Sequence, residues 1–516
     1  MMDLLTPSYI IGALLTVMLL AVLVAGELSQ RHAWISAAAA RRWIHAATAM
    51  YVVGGVHLFP DAGVLYAFAG VLVLLSVVSP PGSILRVTRR AWGQITFPLA
   101  LLVLLPFCWE YTGDSGWIPG VMVTTGRVET FLLGRAVGIP EGAGMYALQA
   151  SFLIVACAHP MAAWVSTSLG RKERSTSNSG SVAFFLVSTL SLLFLNGIIG
   201  ITHSTGPVDG PVAWGGILVL SAASTVADRL FASGWDGFWI VLITASTTLL
   251  FAIHPGRFED LGIAVLISTA LAGFSVWRRW LTGCGATATA LLTSFFWWIG
   301  GWEMLVPGAV FFVTSSVFSR VGPARNDSPR SAKQVLANGG AGLIAALGMA
   351  FSGYTLTTGH FLFTAAFIAV YASAAADTWA TEIGRHARNP RMISTGRVAT
   401  PGVSGAVSGR GLLAAAAGAL AVSAASVPLL LPSAGMSGVF LLAGAGFAAG
   451  LVDSLLGAFL QARWAEPGTG QPTERKPGSG AELLSGLRWI TNDTVNLICT
   501  VTGAFLGAVL VYQFIF

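Results

Sequence analysis

Apolar stretches of about 17–25 residues, long enough to cross a bilayer as helices, recur along the chain between short polar breaks. Sixteen such spans are predicted. In the first half they start near Ser8, Ile44, Gly63, Ile95, Gly144, Ser181, Val212 and Gly237. The second set starts near Asp260, Cys284, Met304, Gln334, His360, Gly411, Ser437 and Thr491. Asp3 precedes the first stretch without a basic region, and no small-residue cleavage site leads into a soluble domain. That stretch therefore reads as a span and not as a cleavable leader. The expected fold class is an all-α polytopic membrane protein of about 16 transmembrane helices.

Composition agrees. The 516 residues are 55% hydrophobic and 10% charged, with a mean hydropathy of +0.75. A soluble domain carries roughly 25% charged residues. Collagen, coiled coils, disorder and a soluble enzyme on one anchor are excluded. The four cysteines are scattered with no CxxC pair, which argues against a structural zinc site or a disulfide framework. The 17 tryptophans fit interfacial belts and packed spans. His57, His203, His254 and His360 show no ligand spacing.

Charge placement sets an orientation. Of the 28 basic residues, twenty-five fall in alternate loops, and the intervening loops keep only Arg127, Arg135 and Arg257. Basic loops face the cytoplasm, so both termini are expected outside a cytoplasmic membrane. These loops are short and interrupted by spans, so the excess of +6 does not suggest nucleic acid as a partner. Two cytoplasmic loops are longer than a connection needs. One runs from Arg385 to Gly409; the other, 463–488, is rich in Pro, Gly and charge and reads as a flexible linker or a lid. On the outer side, Gly113–Gly142 has room for a short interfacial helix.

Ionisable groups inside spans are costly and mark function by default. In the second half these are Asp377, Glu382, Asp453 and Asp493, joined by Asn338 and Asn496, all near the cytoplasmic ends of their helices. Asn492 and Asn496 share a helix face. Asp377 and Glu382 stand five residues apart, about 140° around an ideal helix, so they have different tasks unless the helix ends between them. Asp453 is flanked by Gly450 and Gly457, which admit a close neighbour. The bland alternative is that these groups satisfy one another between helices. Residues 395–411 (TGRVATPGVSGAVSGRG) follow in a loop that opens the next helix. Thr395, Gly396, Ser404, Gly405 and Ser408 suit a backbone anion cradle, with the helix dipole adding to it. Arg397 and Arg410 supply charge for phosphate, although the segment also reads as a flexible turn. No lysine stands in a Walker A context. Carboxylates for a divalent cation beside such a cradle suggest phosphoryl or nucleotidyl transfer to a lipid.

Residues from about Trp280 onward resemble an integral membrane family that includes the plant phytyl-phosphate kinases. The resemblance rests on FFVTSSVFSR, KQVLANGG, ADTWATEIG, PGVSGAVSGRG, DSLLGAFLQ and NDTVNL, in that order. It implies phosphorylation of an isoprenyl monophosphate to the diphosphate, with CTP or another nucleoside triphosphate as donor. More weakly, RRWIHAATAMYVV, the stretch 158–188 and VADRLFASGWDGFWIVL resemble the phytol and dolichol kinase family. This half departs from that pattern at His159, Thr176 and Ser179, where the family carries an acid, a lysine and a glutamate. The halves are read as two like-oriented, distantly related modules, 1–277 inactive and 278–516 catalytic. In the second, Asp377, Asp453 and Asp493 would hold Mg²⁺ or a similar cation, and Asn338, Asn492, Asn496 and the 395–411 loop would bind nucleotide and phosphate. Lys333 or Arg397 would offset charge on the transferring group, with Glu382 positioning metal or water. The rival expectations are a polyprenol or phytol kinase, a lipid cytidylyltransferase, or a membrane transporter. The partners expected are an isoprenoid lipid and the membrane, with the oligomeric state undetermined.

Overall fold

In lipid the backbone must satisfy its own hydrogen bonds, so each apolar run closes into a helix. The computed structural model describes residues 7–59, 62–78, 93–108, 143–169, 177–202, 211–230, 236–253, 258–320, 328–352, 358–466, 472–474, 477 and 481–515. Sixteen α-helices lie among them, one for each predicted span. Eight are long and apolar enough to cross a membrane. The protein is an all-α polytopic membrane protein. The expected interfacial helix at 113–142 lies outside the described residues, as does Thr176.

The helices fall into two compact units. The first holds α1 (Pro7–Arg31), α2 (Ala37–Leu58), α3 (Gly63–Val78), α4 (Gly93–Cys108), α5 (Ala143–Ser168), α6 (Asn178–Thr202), α7 (Pro211–Leu230) and α8 (Asp236–Ile253). The second holds α9 (Phe258–Trp277), α10 (Gly283–Gly300), α11 (Val306–Phe318), α12 (Ala332–Phe351), α13 (Thr358–Gly384), α14 (Gly409–Leu430), α15 (Gly435–Phe459) and α16 (Asn492–Ile515). The division falls at 258/259 and not at the expected 277/278. The reason is packing: Ala272 of α9 clusters with Leu281, Ala286 and Phe312, and Phe274 meets Trp280 edge-on.

Each unit is built around one buried helix. In the first it is α5, which packs against α2, α4, α6 and α8. In the second it is α13, surrounded by α11, α12, α14, α15 and α16. The alanine-rich face of α13 lets its neighbours approach closely, and glycines on those neighbours complete the fit. A Cβ at Gly446 of α15 would stand 2.8 Å from Ala372, and one at Gly503 of α16 would stand 2.6 Å from the Ser373 hydroxyl.

Two small sheets join the second unit. β1 (Arg391–Met392) pairs antiparallel with β2 (Ala406–Val407). β3 (Arg463–Ala465) is the central strand between β4 (Pro472–Thr473) and β5 (Leu483–Ser485), antiparallel to both. The described part of 463–488 is thus a structured sheet, where a flexible loop was expected. Trp464 is buried and anchors the segment. Gly486, at φ +79°, lies so close to the Gln461 backbone that no side chain fits between them.

Candidate functional site

Successive helices of the second unit bring opposite ends to one place. A cavity of about 450 Å³ is lined by residues at or just beyond the C-terminal ends of α11, α13 and α15, and at the N-terminal ends of α12, α14 and α16. This alternation is what an up-and-down bundle produces, and it aims three positive helix-dipole ends at one space.

Asp377 comes from α13 and Asp453 from α15, and their carboxyl groups interact directly across the cavity they both line. Gly450 permits the meeting, since a Cβ there would already stand 3.3 Å from Ala376. Two carboxyl groups in contact need a shared proton or a cation between them. Asp453 Oδ2 is buried and has no hydrogen-bond partner. Asn338, Asn492 and Asn496 line the same cavity, as does Gln334, which closes the capping box of α12 with Ser331.

The loop from Gly402 to Ser408 forms one wall. Gly405 adopts φ +83° and sits against Ala458, a position open only to glycine. The Ser408 hydroxyl accepts the Gly411 N–H at 3.0 Å and caps α14. The Ser404 N–H donates to Glu474 Oε1 at 3.0 Å, while Arg463 Nη2 donates to the Ser404 carbonyl, also at 3.0 Å. The 463–488 segment therefore reaches into the site, as a lid would.

Two guanidiniums complete the lining. Arg385 pairs with Glu382 one turn earlier, which occupies that carboxylate, and burial lowers the Arg385 pKa. Arg330 donates to the Ser316 hydroxyl at 3.0 Å and lies over the rings of Phe311 and Phe312. Burial and the nearby Arg320 push its pKa down to about 10, which leaves it a cation at neutral pH. Four carboxylates (Asp377, Glu382, Asp453, Glu474) face two guanidiniums in the lining. The excess of negative charge and oxygen donors suits a hard divalent cation, and the orphaned Asp453 oxygen is a ready ligand for it.

The sequence-predicted residues divide accordingly. Asp377, Glu382, Asp453, Asn338, Ser404, Gly405, Ser408, Asn492 and Asn496 line the cavity. Lys333, Asp493, Thr395, Gly396 and Arg397 do not. Asp493 interacts electrostatically with Lys333. Thr395, Gly396 and Arg397 are exposed on a turn beyond β1. The expectation that these five share the cavity is corrected: the turn carrying Thr395, Gly396 and Arg397 folds outward, where Arg391 donates to the Gly396 carbonyl, and Lys333 and Asp493, at the starts of α12 and α16, stand outside the lining. Arg330 and Glu474 were missed. Arg330 had read as an orientation charge, and Glu474 lay in a segment read as a linker or lid.

Residues 266–504 match the family described as integral membrane protein DUF92. The chain is 29% identical over 258 residues to an uncharacterised membrane protein of Methanocaldococcus jannaschii, covering 48% of this chain and 93% of that one. It is 28% identical to Protein PGR of Arabidopsis thaliana over 278 residues, covering 48% of this chain and 94% of that one. An uncharacterised membrane protein of Synechocystis is likewise 28% identical, over 45% of this chain and 82% of its own. No solved structure matches the chain.

Proposed function

We propose that the second unit is an isoprenyl monophosphate kinase, transferring a phosphoryl group from CTP or another nucleoside triphosphate to yield the prenyl diphosphate. The observation that carries this reading is the contact between Asp377 and Asp453 inside a cavity of excess negative charge. The resemblance of its motifs to the phytyl-phosphate kinase family supplies the reaction class. Asp377 and Asp453 hold a divalent cation, with Asn338 and Asn496 offering amide oxygens beside them. A cation bound there would supply charge neutralisation for the donor phosphates. Arg330, which lies inside the cavity, takes the charge-offsetting role expected of Lys333 or Arg397. Glu382, held by Arg385, orients and does not accept a proton. An ionised acceptor phosphate needs no general base: its oxygen bonds to the γ-phosphorus, the bond to the β–γ bridging oxygen breaks, and the nucleoside diphosphate leaves. The distribution of basic residues over the loops supports a cytoplasmic face for this cavity.

The test offers purified protein radiolabelled CTP or ATP with prenols and prenyl monophosphates in separate reactions. Label appearing in prenyl diphosphate supports the reading. Label on free prenol, or transfer of the nucleotidyl group, replaces it with one of the rival enzymes. Uptake of a polar solute into sealed vesicles without transfer would favour a transporter.

A further inference from the structure

The first unit holds a second cluster. His159 on α5 lies between Asp228, near the end of α7, and Asp236, which opens α8. One ligand atom from each residue lies within 4.8 Å of the others. We infer that His159 and Asp236 bind a borderline divalent metal ion of the Zn²⁺ or Mn²⁺ kind, with Asp228 fixing the imidazole from behind. This proposal is independent of the kinase reading.

The two distances differ in kind. His159 Nδ1 lies 2.7 Å from Asp228 Oδ1, a short hydrogen bond in which Nδ1–H donates. That bond turns the lone pair of Nε2 the other way. Nε2 then lies 3.4 Å from Asp236 Oδ2, longer than a good hydrogen bond. It is about the separation of two ligands on a tetrahedral ion with bonds of about 2.0–2.1 Å. A carboxylate behind the far nitrogen of a ligating histidine is the usual support for such an ion.

A second observation points the same way. The Asp228 side chain is only 1% exposed, and its Oδ2 has no hydrogen-bond partner. A buried carboxylate oxygen without a donor is costly, and a water carried by the bound ion would satisfy it. His159 and Asp236, at 17% and 19% exposed, leave a route for entry. Arg42 acts electrostatically on His159 and works against a bound cation, but the two carboxylates outweigh it. Imidazole discriminates against hard Mg²⁺. The histidine that departs from the kinase-like pattern therefore changes which metal this unit prefers.

The experiment uses the full chain, purified without a histidine tag in detergent and stripped with chelator. Zn²⁺ is titrated by calorimetry, and retained metal is counted by mass spectrometry after gel filtration. One Zn²⁺ per chain is expected, still present in the Asp453→Asn protein. His159→Ala and Asp236→Asn should each weaken it by more than about a hundredfold, and Asp228→Asn by roughly 10–100-fold. Asp236→Asn keeps the test decisive if His159→Ala fails to fold. No Zn²⁺ bound by the wild type, or equal binding by Asp236→Asn, would overturn the proposal. The cluster would then be a closed ion pair of imidazolium and carboxylates.

Discussion

The carboxyl groups of Asp377 and Asp453 meet in one cavity from the C-terminal parts of helices α13 and α15. Residues 76 positions apart in sequence thus form one ligand pair. Like charges in contact are stable only with a proton or a cation between them. On the proposed function, Asp377→Asn and Asp453→Asn should each lower phosphoryl transfer by more than about a hundredfold, because a ligand matters more than the outer-shell partners whose loss costs ~10–100-fold. Gel filtration and thermal unfolding should be almost unchanged, since the amide keeps size and hydrogen bonding. Full activity in either variant would show that the pair is interhelical glue.

Packing around α13 makes a separate prediction about stability. Gly446→Val places a Cβ 2.8 Å from both the carbonyl carbon and the Cβ of Ala372. Backbone cannot yield as a flexible side chain would, so a cost of about 1–3 kcal/mol is expected. Gly444, two residues away, has nothing within 4 Å of its would-be Cβ. Gly444→Ala should be neutral or stabilising, by up to ~1 kcal/mol. Thermal midpoints in one detergent decide it. Equal midpoints for the two variants would mean that α15 does not pack on α13 as described.

The Ser404 N–H, offered by the sequence as an anion donor, is taken by Glu474. A carboxylate at that spot competes with phosphate for the same donor and adds a negative charge to the cavity. Glu474→Gln should therefore tighten nucleotide binding severalfold, with the gain shrinking at high salt. Equilibrium binding of a labelled, non-hydrolysable nucleotide measures this. Weaker binding in the variant would instead make Glu474 a ligand for the cation.

How much of this was readable follows from the physics of each residue. The helices were readable because lipid imposes length and apolarity on every span. Asp377, Asp453, Asn338 and Asn496 stood out because polar groups in spans are expensive. Arg330 and Glu474 did not stand out, since charge in a loop is ordinary and only the fold shows which loop turns inward. Arg397 and Thr395 failed for the converse reason: glycine-rich backbone can turn either way, and theirs turns out to solvent. His159 read as the loss of an acid, because its two carboxylates lie far along the chain. The strands of 463–488 are two or three residues long, too short to show a period against Pro and Gly.

The orientation taken from loop charge can be tested at Arg397, which is exposed on its turn. Cys284 is also exposed, so it is first changed to serine. Its helix begins beside Arg330, whose carbonyl accepts the Thr282 N–H at 3.0 Å, and it would otherwise report from the same end of the unit. Arg397→Cys in that background should react with a membrane-impermeant maleimide in inside-out vesicles and be protected in right-side-out ones. The charge split argues strongly for this result, because one miscounted span would reverse every later loop and scatter the basic residues over both faces. Labelling only in right-side-out vesicles would place the cavity outside the cell. A donor found in the cytoplasm would then be out of reach, and the kinase reading would fall with the orientation.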